Sequence, residues 1–209
     1  MTADDLAALH EQVGMERVHL SERLQEVPAA GASAPSDDEA ADIMLEALFL
    51  RTFTRYEEML ERLFLHYVTG GSSLSGIAGL SFLSITDEAK ARHLVRAGFA
   101  FLRWSKPADA RTMAANYLDR GWPFVDTLGV STDTLNDCAK IRNRIAHRSD
   151  ESRTHFAAVQ RNLFQTERLF DMSPGQLLRC RYRRTRKLVF QYYGDAIAST
   201  LQAITDPPA

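Results

Sequence analysis

The stretch Phe49-Leu50-Arg51-Thr52-Phe53-Thr54-Arg55-Tyr56-Glu57-Glu58-Met59-Leu60-Glu61-Arg62-Leu63-Phe64-Leu65-His66-Tyr67 decides the fold class. Phe49, Phe53, Tyr56, Leu60, Leu63 and Tyr67 recur at spacings of 4, 3, 4, 3 and 4. A repeat between three and four residues places all six on one face of an α-helix. The helix this predicts runs from about 38 to 68. Ser36 or Asp37, with Glu39 following, supplies the cap, and Gly70-Gly71-Ser72-Ser73 ends it.

Outward from that helix the chain keeps the same character. Residues 4 to 27 carry Leu6, Leu9, Val13, Val18, Leu20, Leu24 and Val27 between charged positions, a second helical pattern. Residues 28 to 38, Pro-Ala-Ala-Gly-Ala-Ser-Ala-Pro-Ser-Asp-Asp, have no periodicity and read as a linker. Residues 74 to 85 are a mixed loop. Thr86-Asp87-Glu88 opens a helix with Leu94, Val95, Phe99 and Phe101 that reaches about Trp104. Pro107 suits a first helical turn, continued from Ala108 to Leu118, and Gly121-Trp122-Pro123 breaks it. Ser131-Thr132-Asp133 caps a helix to His147 or slightly beyond. Another spans Glu151 to about Phe170, with Phe156, Val159, Leu163 and Phe164, and Ser173-Pro174 starts a last one over about 175–204. No segment sustains a two-residue alternation, so no sheet is expected. The expected fold is all-α: an up-and-down bundle of four to five core helices with additional N- and C-terminal helices. The expected divisions are an N-terminal helix (1–27), a linker (28–38) and a helical domain (39–209).

Composition narrows the function classes. The chain of 209 residues is 45% hydrophobic and 25% charged, with 11 Gly and 7 Pro, which suits one packed domain with a small appendage. Its net charge of −2 confines any nucleic-acid site to a local patch. Cys138 and Cys180 lack CxxC spacing, so neither a zinc site nor a disulfide framework is indicated. Cys138 falls on an apolar stripe and reads as a buried free thiol. No His/Cys/Asp/Glu group has metal-ligand spacing, so no metal or cofactor is expected. The start, Met-Thr-Ala-Asp-Asp, is acidic, and no apolar run is long enough to cross a bilayer. A cytoplasmic protein without a membrane partner is expected.

Chemistry concentrates in Lys140-Ile141-Arg142-Asn143-Arg144-Ile145-Ala146-His147-Arg148. Arginine offers phosphate oxygens a planar fork of donors, and histidine is the side chain best suited to move protons near neutral pH. Together they supply what RNA phosphodiester cleavage requires without a metal, a proton carrier for the 2′-hydroxyl and a holder of developing charge. At about 100° per residue, Thr134, Cys138, Ile141 and Ile145 fall within an arc of about 60°, with Arg142 at its edge. His147 points away, close to Asn143, and about 140° of ideal helix separates Arg142 from His147. The arginine must reach around, the helix end must unwind, or a second copy must complete the site. The alternative is structural, since His and Arg at a helix C-terminus also complement its dipole.

This string resembles the Arg-X4-His motif of the HEPN superfamily (higher eukaryotes and prokaryotes nucleotide-binding domains), in the form Arg-Asn-x-x-Ala-His. Within it the chain looks most like the RiboL-PSP-HEPN and related stand-alone prokaryotic branches, over roughly residues 40 to 170. Arg55 to Glu61 on the long helix, Trp122-Pro123-Phe124, and the aromatic-rich helix after the motif support the likeness. The resemblance implies catalytic roles for Arg142, Asn143 and His147, and a homodimer whose two motif helices line one composite cleft. Arg144 and Arg148 could add phosphate contacts or stay solvated. Glu57 and Glu58 could pair with Arg142 or remain an ordinary charged surface.

Arg179, Arg181, Arg183, Arg184, Arg186 and Lys187 place six cations in nine residues, with Tyr182 among them and Tyr192-Tyr193 beyond. Cations neutralise phosphates and rings stack on unpaired bases, so Arg181, Arg184 and Lys187 are candidate RNA contacts. A solvated helix face or a site for an acidic protein would look the same. The leading expectation is a metal-independent endoribonuclease acting as a toxin or effector in a toxin–antitoxin or phage-defence system, with RNA as substrate and an antitoxin or other protein as a possible partner. The alternative is a non-catalytic HEPN-like dimerisation and RNA- or nucleotide-binding module.

Overall fold

A computed structural model of the chain describes residues 1–25, 38–97, 104–167 and 171–207. Among the described residues are nine α-helices: α1 (Ala3–Gln25), α2 (Glu39–Val68), α3 (Glu88–Ala97), α4 (Pro107–Tyr117), α5 (Phe124–Val130), α6 (Thr132–Ala146), α7 (Asp150–Phe164), α8 (Pro174–Arg179) and α9 (Val189–Thr205). β-Pairing there is limited to isolated bridges such as Ser81 with Leu118. The all-α class read from the periodicity is the fold observed. No described helix is long and apolar enough to cross a membrane.

The helix at the centre is α2, against which α3, α6, α8 and α9 pack. Phe49, Phe53, Tyr56, Leu60, Leu63 and Tyr67 are each at most 1% exposed, so the apolar stripe is the core seam. Its last residues, Leu63 to Val68, are buried on every side. There the Phe64 ring meets Trp104, Tyr117 and Phe124, while the Tyr67 hydroxyl donates to the Ile204 carbonyl at 2.7 Å. The N-terminal helix is part of the same core. Leu6, Leu9 and Val13 are buried where α1 lies on α9, and His10 Nδ1 is 2.6 Å from Thr205 Oγ1. Val18, expected on the apolar face, is 52% exposed.

Several boundaries differ from expectation. Asp38 caps α2, its carboxylate accepting from the Ala41 N–H, in place of Ser36 or Asp37. A short helix, α5, occupies residues 124–130, where none was expected. Leu94 is 43% exposed, so Ala91 and Val95 seat α3. Helix α7 stops at Phe164 because Gln165 turns left-handed, well before Phe170. Val27, the linker up to Asp37, Phe99, Phe101 and Phe170 lie outside the described residues, as do the side chains of Leu20 and Leu24.

The largest correction concerns the expected helix over 175–204, which is two helices joined by a hairpin-like loop. Val189 N–H donates to the Cys180 carbonyl and Tyr182 N–H to that of Lys187, while Arg186 adopts φ 58°. A continuous helix would stack like charges at i and i+4, Arg179 on Arg183 and Arg183 on Lys187, which is unfavourable. The loop releases them. Arg179 leaves the basic run altogether: it is fully buried, 3.0 Å from Asp42 on α2 and 3.8 Å from the Asp38 carboxylate. Burial pushes the Asp42 carboxyl up, and Arg179 offsets part of that shift.

Gly175 makes this docking possible. A Cβ there would sit 2.4 Å from the Asp42 carbonyl oxygen, and the Gly175 N–H donates to Glu46 Oε1 at 2.9 Å. Removing one partner of a buried ion pair strands the other charge. Asp42→Ala is therefore expected to lower unfolding stability by about 3–5 kcal/mol in urea titration. A loss below about 1 kcal/mol would mean that Arg179 is adequately held without Asp42.

Candidate functional site

The Arg-Asn-x-x-Ala-His string closes α6. This helix starts after Ser131, whose hydroxyl accepts from Thr200 Oγ1 at 2.9 Å and makes no capping bond. Leu135, Cys138 and Ile141 are buried, while Thr134 and Ile145 are half-buried. The buried face is thus rotated from the expected one, and Arg142, about 100° from Ile141, falls between Leu135 and Cys138 on it. Arg142 is accordingly half-buried, with its guanidinium reaching the exposed Asn143. Cys138 is fully buried, which pushes its thiol well up and makes it an inert packing group.

His147 is the first residue beyond the helix, with an extended backbone at φ −135° and ψ 128°. The ideal-helix angle between it and Arg142 therefore does not apply, since the helix end unwinds. Its backbone is fixed from both sides. The His147 N–H donates to the Asn143 carbonyl at 2.8 Å, and its own carbonyl accepts from Ser152 Oγ at 2.7 Å. Ser149, the cap of α7, accepts the Ser152 N–H, so the start of the next helix sets the histidine's position. The His147 side chain is exposed.

Arg142 and Asn143 do meet, with Arg142 Nη1 donating to Asn143 Oδ1 at 3.2 Å. On the inner side Arg142 acts electrostatically on Glu57 of α2. Burial pushes the Glu57 carboxyl up, Arg142 pulls it down, and Glu58 raises it. Arg144 is half-buried and Arg148 exposed, on either side of His147. Arg181 and Arg184 are exposed on the hairpin-like loop, and Lys187 is ion-paired with Asp195 of α9. Among the described residues no three His, Cys, Asp or Glu side chains converge as a metal site.

Two clefts flank these elements, and Arg142, Asn143 and His147 line neither. One, of about 790 Å³, lies between α1, α2 and α9, where the pairs Glu16–Arg55 and Lys187–Asp195 offset each other's charge. The other, of about 370 Å³, joins α6 to the hairpin-like loop and the end of α7. Asp137 and Lys140 line it, and the only sequence signal for them is opposite charge at i, i+3. No protein-family model, curated protein or solved structure matches the chain.

The Glu57 shift has a consequence for stability. A carboxyl raised in the folded state binds its proton more tightly there than in the unfolded chain. Stability is then lost as pH rises from the ordinary carboxylate value through the folded one. Glu57→Gln should match wild type in melting temperature near pH 4 and equal or exceed it at pH 7. A variant clearly less stable at pH 7 would show instead that Glu57 serves as a necessary anion for Arg142.

Proposed function

We propose that the chain is a metal-independent endoribonuclease of the HEPN type. The observation that carries this reading is the end of α6, where an arginine in contact with an asparagine precedes an exposed histidine held off the helix by Ser152. His147 moves the proton of the attacking 2′-hydroxyl or of the 5′-oxygen leaving group. Arg142 holds the charge that develops on the phosphorus-bound oxygens, and Asn143 orients it. The 2′-oxygen forms a bond to phosphorus as the bond to the 5′-oxygen breaks, leaving a 2′,3′-cyclic phosphate and a 5′-hydroxyl. Arg144, Arg148 and the loop cations Arg181 and Arg184 attract the backbone, while Lys187 is partly neutralised by Asp195.

The active unit is a homodimer. The His147 side chain is exposed, and a symmetric second copy would supply walls around it. A role as a toxin or defence effector, in the cytoplasm and answered by an antitoxin, follows from the family resemblance. One observation favours the non-catalytic module instead: Arg142 is half-buried beside Glu57, as a structural arginine would be.

Purified protein incubated with labelled tRNA and mRNA decides between them. Cleavage should persist in EDTA, yield cyclic phosphate ends, and fall about 100-fold or more in His147→Ala with little change in melting temperature. Unchanged cleavage in that variant, or rescue of EDTA-treated protein by Mg²⁺ alone, sinks the proposal. Because Arg142 is half-buried, Arg142→Gln is the better partner variant, as it keeps part of the side-chain stem. Mixing it with His147→Ala should restore part of the activity if each site draws on both copies. Full activity in a strictly monomeric protein would exclude the shared site.

A further inference from the structure

The cleft of about 370 Å³ between α6, the end of α7 and the hairpin-like loop has no part in the chemistry described above. Its volume suits a small organic ligand. One wall is aromatic. Tyr182, on the loop, and Tyr192, on α9, are half-buried with ring centroids 4.6 Å apart and planes inclined at 46°. Tyr193 stands next to Tyr192 at 5.1 Å and also lines the cleft. Its hydroxyl is buried and has no hydrogen-bond partner among the described residues, and burial together with Asp137 keeps it protonated.

The rest of the lining is largely polar. Asp137 and Lys140 form an ion pair at 2.9 Å, with the carboxylate only 13% exposed. An ammonium has three donors and a carboxylate can accept several bonds, so both groups keep capacity after pairing with each other. The loop that brings Tyr182 to the cleft also carries Arg181, Arg183, Arg184 and Arg186, all exposed. Stacking rings, an acceptor beside a donor, and cations on the same loop match a nucleotide: base, base edge and phosphate in turn.

We propose that this cleft is a subsite for one unpaired nucleotide of an RNA strand. The base stacks on one ring of the Tyr182–Tyr192 pair and meets the edge of the other, which holds the first ring in place. Its edge donates an amino or ring N–H to Asp137 and accepts from Lys140, and the adjoining phosphates lie on the loop arginines. In a duplex those edge groups are engaged in pairing, so the subsite selects single-stranded RNA or loops. It presupposes the RNA reading proposed above and specifies where that substrate is gripped.

The test uses the full chain carrying His147→Ala, so that RNA stays uncleaved, and a fluorescein-labelled unstructured RNA 12-mer. Affinity is read by anisotropy for that strand and for the same strand annealed to its complement. Tyr182→Ala and Tyr192→Ala should each weaken single-strand binding about 5- to 150-fold, the conversion of base–aromatic stacking strength. Duplex binding should be unchanged, which also reports that the fold survives. Tyr182→Phe and Tyr192→Phe keep the ring and should retain the single-strand affinity. If the parent binds the strand and the alanine variants bind it equally well, the subsite is overturned while the RNA reading stands. Equal losses on strand and duplex overturn it too, as a packing effect. A parent that binds no RNA removes both.

Discussion

The buried guanidinium of Arg179 is the constraint from which the second half of the molecule follows. A charge at 0% exposure is tolerable only beside an opposite one, and Asp42 on the first turns of α2 supplies it at 3.0 Å. Meeting that requirement brings α8 against α2 closely enough that position 175 must lack a side chain. With α8 fixed there, the chain reverses through residues 180–188, held by the pairing of Cys180 with Val189 and of Tyr182 with Lys187. Only after that reversal does α9 lie along α2 and offer α1 a surface for Leu6, Leu9 and Val13. One ion pair thus selects between a long basic helix and the observed arrangement of two helices with a cationic loop.

What could be read in the sequence was local, and what could not was set by distant partners. The stripe from Phe49 to Tyr67 was legible because burial of one helical face leaves its period in the residues themselves. The split at 180–188 was not, because arginine and lysine are good helix formers and Asp42 lies far away along the chain. Helix α5 escaped notice for a different reason: seven residues between Gly121-Trp122-Pro123 and Ser131 are too few to display a period. In α6 Cys138 and Ile141 were placed on the buried face, but Leu135 was missed. The helix packs on both α2 and α9, so Leu135 is buried where Thr134 was expected, and Arg142 is drawn inward with it.

The motif shows the same division. Its residue types are visible in the sequence, but the geometry of His147 depends on where α6 stops. That is decided by a hydroxyl five residues later, Ser152, and by the cap of α7. The resulting histidine has a rigid backbone and an exposed ring. Glu57 was visible only as one of two candidate partners for Arg142. The packing of α6 on α2 makes it the carboxyl that feels Arg142's charge.

Charge is distributed unevenly over the molecule. Arg55, Lys140, Arg179 and Lys187 are each matched by a carboxylate, whereas Arg183, Arg184 and Arg186 have no ion pair among the described residues. In a chain of net charge −2 this leaves the hairpin-like loop as a concentrated source of positive potential. The loop adjoins α6 at Lys140 through the tyrosine-lined cleft, and Arg142, where the motif begins, follows two positions later on the same helix. The unmatched arginines all lie where the chain turns between α8 and α9, and there they escape the like-charge stacking at i and i+4 that one continuous helix would impose.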